Sequence, residues 1–370
     1  MTDLTHLALE FEQTFISIKV FGTPTGYDVI GIVVAHGSLG ADFAGLRIRE
    51  QFSGRIAGAV TDESCFLWPA FAPYFPPGFH VVQAALSDFT AFERDSGGIL
   101  RTPRDVCFDI VDSFGKPLRP GLDFTWYSAR TLAMPARENI VRVAGDVGAD
   151  GFLFGGSVWH ARLERLIQDY AGRSSSTLER ILDWGVGCGR IARHFLERSQ
   201  GNVHGVDIDN VNIQWLQQTL GWDKALRVDF DPPMPFPDEY FDVVYGHSVF
   251  THLSQNDHFA WLGEIRRVLK IGGYGFLTVC SEPGVYVTRH ADATTNLEFL
   301  EEFRTVGCYD FEAQNVGVDA GREGYYRLVA HTQNYILKHW SRYFTIRRII
   351  PCFMEHQDLI ILERRSPAGP

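Results

Sequence analysis

The chain has 370 residues, 45% of them hydrophobic and 21% charged, the balance of a folded protein and not of a disordered one. It exceeds the roughly 250–300 residues at which a single hydrophobic core stops growing, so two domains are expected. The 34 basic and 45 acidic residues leave a net charge of -11, which repels a polyanion and argues against DNA or RNA as a partner.

Between residues 15 and 112 the apolar pattern is short and mostly of period two. Ile16, Ile18 and Val20 alternate with Ser17 and Lys19, and Leu46 and Ile48 with Arg47 and Arg49. Further apolar runs at 29–35, 79–86 and 106–111 are divided by turn formers at 22–26, 37–40, 54–58, 76–78 and 95–98. Such spacing predicts a smaller all-β domain, an antiparallel sandwich or barrel, over residues 1–115. Residues 116–150, with Pro117, Pro120 and Pro135, read as a connection and lid. In the second domain, 151–370, a helical period over 158–170 puts Leu163, Leu166, Ile167 and Tyr170 on one face. Strands at 180–184, 202–206, 241–245 and 275–279 then alternate with helices at 190–200, 211–220 and 261–269. This alternation predicts parallel strands with helical crossovers, an α/β, doubly wound Rossmann-like sheet. A helix at 332–343 and strands at 345–350 and 359–363 close the chain.

No apolar run approaches the roughly 18 residues of a membrane span. The start, Met1-Thr2-Asp3-Leu4-Thr5-His6, lacks the pattern of a signal peptide. The six cysteines (Cys65, Cys107, Cys188, Cys280, Cys308, Cys352) are scattered and make no metal knuckle or redox pair. A cytoplasmic protein without a metal centre is therefore expected.

The strongest local signal is Leu182-Asp183-Trp184-Gly185-Val186-Gly187-Cys188-Gly189-Arg190. An apolar strand ends in a carboxylate, and alternate glycines open a helix, letting the backbone turn tightly and approach a ligand closely. The dinucleotide fingerprint needs a glycine where Arg190 stands, and no phosphate-loop lysine is present. The expected ligand is nucleotide-like and need not carry a pyrophosphate. Asp207, in Val206-Asp207-Ile208-Asp209, closes the next strand. It accepts both hydroxyls of a ribose there, or caps the following helix. Asp229, in Val228-Asp229-Phe230, takes an adenine amino group with Phe230 on the ring, or is a turn residue. Cys188 reads as a small residue in a crowded turn. The strand at 241–245 leads into Gly246-His247-Ser248-Val249-Phe250-Thr251-His252-Leu253. Arg267-Val268-Leu269-Lys270-Ile271-Gly272-Gly273-Tyr274 reads as a helix end and glycine turn.

On these motifs, residues 180–280 resemble class I S-adenosylmethionine-dependent methyltransferases of the small-molecule type. Asp183, Gly185, Gly187 and Gly189 match the family's glycine motif, and Ile271 stands where its "RVLKPGG" turn has proline. The resemblance implies S-adenosyl-L-methionine as cofactor, held by the glycine motif with Arg190, by Asp207 and Ile208, by Asp229 and Phe230, and by His247. The sulfonium makes the methyl group electrophilic, so the protein must mainly align donor and acceptor. A hydroxyl acceptor also needs its proton removed, a task suited to histidine. His247 fits the cofactor side and His252 the acceptor side; the plain alternative is a packing or helix-end role for either.

Residues 281–331 form a long insertion, helical at 297–303, of the kind that shapes an acceptor site. Tyr325, Tyr326 and Arg327 stack on a sugar and bind its hydroxyls, or the tyrosines form insertion core; His331 and His290 are further acceptor-side candidates. Asn139-Ile140-Val141-Arg142-Val143-Ala144-Gly145 and Phe152-Leu153-Phe154-Gly155-Gly156 resemble the N-terminal lid of polysaccharide methyltransferases. There Arg142 pairs with the methionine carboxylate, or is a surface arginine. Residues 76–88 and 105–110 resemble the last hairpin of the carbohydrate-binding β-sandwich of O-antigen ABC transporters. Nearby Trp68, Phe71, Tyr74 and Phe75 stack on sugar faces, or belong to core or rim. Together these likenesses imply an enzyme that O-methylates a sugar of a cell-surface glycan or its precursor. The rivals are a methyltransferase of a small metabolite or natural product, and a glycan-binding or export adaptor with a non-catalytic fold. The oligomeric state is left open.

Overall fold

The computed structural model describes residues 16–22, 28–35, 45–61, 79–89, 92–118, 123–128, 132–145, 147–198, 202–281, 285, 301–311, 322, 325–354 and 357–366. The turn expected at 76–78, the aromatics Trp68, Phe71, Tyr74 and Phe75, and His290 lie outside the described residues. The chain divides into two compact units, Met1–Thr131 with Val147–Arg162, and Leu132–Asp146 with Leu163–Pro370.

The first unit holds β1 (Ile16–Gly22), β2 (Asp28–Ala35), β3 (Arg47–Glu50), β4 (Ile56–Ala57), β5 (Ala59–Thr61), β6 (Phe79–Ala85), β7 (Glu93–Arg94), β8 (Leu100–Arg101), β9 (Val106–Val111) and β10 (Phe124–Trp126). One sheet runs β1-β2-β6-β5 and another β10-β9-β3-β4, while β7 pairs with β8. All these pairings are antiparallel. In β3 the period-two pattern buries Ile48 and leaves Arg47 and Arg49 half-buried. Arg49 stands opposite Asp109 in the register, and its guanidinium donates to both carboxylate oxygens. Strand β10 lies within the stretch expected as a connection. Its buried Phe124 and Trp126 flank a half-buried Thr125, a period-two face too short to stand out among prolines.

The second unit is built around α1 (Arg137–Ala144), the end of α2 (Gly148–Ala171), β11 (Ile181–Trp184), α3 (Ala192–Arg198), β12 (Val203–Asp207), α4 (Asn210–Leu220), β13 (Ala225–Arg227), β14 (Phe241–Gly246), α5 (Gln255–Val268), β15 (Leu269–Cys280), β16 (Cys308–Phe311), β17 (Leu328–His331), α6 (Gln333–Trp340), β18 (Thr345–Met354) and β19 (Gln357–Glu363). Its sheet runs β13-β12-β11-β14-β15-β17-β16, with β19 beside β15 and β18 beside β19. Strands β11 to β15 pair in parallel, and β19 runs antiparallel to β15. From β11 the chain steps outward to β12 and β13, then returns to β14 on the other side of β11. A crevice therefore opens at the C-terminal ends of β11 and β14, the switch point where such sheets bind ligands.

Both faces of β11 are buried. Leu182 and Trp184 join a core with Trp261, Leu262 and Ile265 of α5 and Tyr335, Ile336 and Trp340 of α6. On the other face Tyr245 stacks on Phe195 of α3, ring centroids 5.5 Å apart. A sheet covered on both faces has unbroken apolar strands, which is why these strands do not alternate.

Several elements differ from expectation: α1 lies in the stretch expected as a connection, β13 was not expected, and residues 281–331, expected as an insertion, contribute β16 and β17 to the sheet, β17 pairing in parallel with β15. Helix α5 begins at Gln255, because Ser254 accepts a hydrogen bond from the Asp257 N–H and starts a polar first turn invisible to apolar periodicity. Helix α2 has 24 residues and contains Gly155 and Gly156, expected as part of a lid. The Gly272-Gly273 turn falls inside β15, where the Gly272 N–H donates to the Arg364 carbonyl (2.7 Å) and the Arg364 N–H to the Gly273 carbonyl (3.0 Å). Arg267, just before it, ties α5 to the preceding loop through Glu264, Asp238 and the carbonyls of Phe236 and Met234. Among the described residues no helix is long and apolar enough to cross a membrane.

Candidate active site

The turn after β11 sets one wall of the crevice. Gly185 and Gly187 have φ of 80° and 52°, in the left-handed region that favours glycine. A Cβ at Gly185 would stand 2.3 Å from Val249 Cγ2, and one at Gly187 2.6 Å from Val143 Cγ2. Glycine is thus required twice over, by conformation and by packing. The Gly187 N–H donates to Asp207 Oδ2 (2.7 Å), which binds this turn to the end of β12. The other Asp207 oxygen accepts the Asp209 N–H (2.8 Å).

Burial pushes the Asp207 carboxyl up to about 6, against those N–H groups, which favour its charge. Burial likewise pushes Asp183 up to about 7, although the Tyr245 hydroxyl donates to it at 2.8 Å. The helix cap falls on Asp209 and not on Asp207: its side chain accepts from the Val211 N–H at the start of α4. Asp209 also receives Arg142 Nε (2.7 Å) and Asn212 Nδ2 (3.1 Å), and Asn139 donates to Asn212 Oδ1 (2.9 Å). Arg142 thus reaches the site with its guanidinium already paired to Asp209. Sequence reasoning passed over Asp209, Asn139 and Asn212. Asp209 carried a usable signal, an aspartate directly before an apolar helical period.

Eleven of the expected residues line one cavity: Arg142, Asp183, Gly185, Gly187, Arg190, Asp207, Ile208, His247, His252, Tyr325 and Tyr326. Trp184, Val249 and Trp261 add apolar wall. The His252 imidazole is held on two sides. Its Nδ1–H donates to the Arg327 carbonyl (2.9 Å), and its ring stacks on Tyr326 with centroids 4.0 Å apart. That bond puts the proton on Nδ1 and leaves Nε2 with its lone pair. Burial lowers the His252 pKa to about 4, so the ring is neutral near pH 7.

Other expected residues are placed elsewhere. The Asp229 side chain is 85% exposed, 3.9 Å from Arg227, and does not line the cavity. Phe230 packs edge-on against Tyr325 at 4.6 Å instead of facing the cavity. Its carbonyl accepts from the Tyr325 hydroxyl (2.9 Å) and from Trp261 Nε1 (3.2 Å). Gly189 is also off the cavity; a Cβ there would meet Leu216 of α4 at 3.0 Å. Arg327 turns its guanidinium to Asp310 (2.6 Å). His331 is buried beside His258, ring centroids 4.6 Å apart, and burial lowers its pKa to about 3. Cys188 is buried with its thiol pushed up to about 12, an inert small residue in the turn.

Residues 182–277 match the family described as a methyltransferase domain. The matched methyltransferase stretch contains Asp183, the glycine turn, Asp207, His247 and His252; Arg142, Tyr325 and Tyr326 lie outside it. An uncharacterized methyltransferase of Schizosaccharomyces pombe is 30% identical over 156 residues, which is 38% of this chain and 55% of that protein. The chain thus spans about half the length of the curated relative it matches. Among solved structures, an S-adenosylmethionine-dependent methyltransferase of Methanosarcina mazei is 19% identical, with a TM-score of 0.39, over 55% of this chain and 98% of that one. The 1,6-didemethyltoxoflavin-N1-methyltransferase of Burkholderia thailandensis, solved with 1,6-didemethyltoxoflavin and S-adenosylhomocysteine, is 15% identical, with a TM-score of 0.38, over 65% and 95%.

Proposed function

We propose that the protein is an S-adenosyl-L-methionine-dependent methyltransferase that alkylates a hydroxyl group. The observation that carries this reading is the meeting of the glycine turn, Asp207 and two histidines in one cavity, within a stretch that matches a methyltransferase domain. The residues fit that cofactor. Gly185 and Gly187 present bare backbone to the cavity, and Asp207 spends one acceptor position on each oxygen, keeping lone pairs for two ribose hydroxyls. Val228 and Ile208, which line the cavity, take the base-binding role in place of Asp229 and Phe230. Arg142, already paired with Asp209, supplies positive charge for the amino-acid end.

Bound there, the cofactor supplies a methyl group already electrophilic on its charged sulfur. The chain's own work is alignment, exclusion of water and removal of one proton. Trp184, Val249, Trp261 and Tyr326 wall the cavity with apolar surface. His252 Nε2 takes the acceptor proton, with Nδ1 fixed by the Arg327 carbonyl. His247 lines the same cavity, and we take it as the cofactor-side residue of the loop. For the acceptor we take a sugar hydroxyl of a cell-surface glycan or its precursor. Its support is the likeness of the segment around Arg142 to the lid of polysaccharide methyltransferases, together with the Tyr326 ring beside His252.

Titration calorimetry with S-adenosylmethionine is the direct test, with a micromolar Kd expected. Folded protein that does not bind it removes the methyltransferase reading. Methyl transfer to a panel of oligosaccharides and nucleotide sugars tests the acceptor. Binding without transfer to any sugar, but with transfer to small aromatic metabolites, overturns the sugar alone.

A further inference from the structure

Ser248 lines the cavity with φ of 60°, in the left-handed region that a residue with a side chain enters only at a cost. A closed hydrogen-bond circuit holds it there. The Ser248 N–H donates to Thr278 Oγ1 (2.8 Å), and the Thr278 hydroxyl donates to Gln357 Oε1 (2.7 Å). Gln357 Nε2 then donates back to Ser248 Oγ (2.8 Å). Thr251 gives its hydroxyl proton to the Ser248 carbonyl (2.7 Å), so the Ser248 hydroxyl donates to Thr251 Oγ1 (3.0 Å). Each proton in the circuit has one acceptor. Thr278 and Gln357 are buried, so a broken link strands a polar group away from water.

A purely architectural role is a poor account of these bonds. Strands β15 and β19 already pair backbone to backbone from Tyr274↔Glu363 to Cys280↔Gln357, without help from side chains. The circuit instead reaches from that pair to the loop bearing His247 and His252, and neither Thr278 nor Gln357 lines the cavity. We infer that Thr278 and Gln357 are positioning residues: through Ser248 they fix the loop that presents His247 and His252 to the cavity. This rests on the methyltransferase reading for what the loop serves, but not for the circuit itself.

The test uses the full chain, with S-adenosylhomocysteine as probe. Thr278→Val keeps shape and removes the hydroxyl; Gln357→Met keeps volume and removes the amide. Each is expected to raise the Kd about tenfold. The double variant should be little worse than either single one, because both break one circuit. Thr278→Ser, which keeps the hydroxyl, should return to within about twofold of the parent. Imidazole nitrogen NMR provides a readout without ligand. The His247 and His252 signals should shift or broaden in Thr278→Val and Gln357→Met and recover in Thr278→Ser. Those of His204, packed against Phe236, Tyr240 and Phe241, should stay put. If both variants only melt earlier, with unchanged affinity and unchanged His247 and His252 signals, the inference is overturned. Should Thr278→Val fail to fold, Gln357→Met decides alone. A parent chain that does not bind the probe removes the methyltransferase reading, and the imidazole signals then judge the circuit by themselves.

Discussion

Asp207 shows how far one residue can be read in advance. A carboxylate closing the strand after a glycine turn announces a hydroxyl acceptor, and Asp207 does stand on the cavity. Its titration was not legible, because the burial that raises it to about 6 exists only in the folded chain. A ligand that prefers the ionised form releases a proton on binding below that value and none well above it. The expected result is an S-adenosylmethionine affinity level above about pH 7 that weakens as pH falls through 6. Asp207→Asn should weaken binding about tenfold to a hundredfold at pH 7.5, as for a lost charged hydrogen bond, and remove the pH dependence centred near 6. Calorimetry across pH 5 to 8 checks both. Arg142 and Asp229 were less legible from their local windows. A partner 67 positions away claims Arg142, and Asp229 faces solvent beside Arg227.

At the scale of elements, local chemistry located most helices and strands of the second unit and several of their ends to within a residue, but not every end. Apolar periodicity sees the buried face of a helix and misses a polar first turn, as at Gln255 of α5. Helix α4 starts within a residue of its expected position, where Asp209 caps the Val211 N–H and holds Arg142. Asp209→Ala should destabilise the unit by about 1–2 kcal/mol, most of it the lost cap. The melting temperature should then fall by about 2–8 °C in scanning calorimetry. An unchanged melt would show that water replaces the cap at no cost.

For the whole molecule, buried histidines set the acid response. Burial lowers His204 and His252 to about 4 and His331 to about 3, and lowers His258 as well. The folded chain therefore binds fewer protons than the unfolded chain below the ordinary histidine value near 6.5. Their stabilisation is complete above that value and is lost as pH falls toward 4. Asp183 and Asp207, both raised by burial, act in the opposite direction over an overlapping range. Four histidines against two carboxylates leave a net loss in acid. The melting temperature should fall from pH 7 to 4.5, and His331→Phe should recover on the order of 2 kcal/mol of that loss at pH 4.5. Scanning calorimetry at pH intervals measures the slope. Equal slopes in parent and variant would remove His331 from the account.

By itself the sequence determined the α/β alternation, the glycine turn at Gly185 and Gly187 and the carboxylates Asp183 and Asp207. Each is written in contiguous residues whose chemistry is local: strand period, turn conformation and a charge at a strand end. Tertiary structure alone decided which side chains share the cavity. It drew Arg142 to Asp209, sent Arg327 to Asp310 and His331 into the core, and fixed the proton of His252 on Nδ1. It also brought Gln357 across 109 positions to Ser248. These outcomes depend on register between distant strands and on burial, and no local window of sequence contains either.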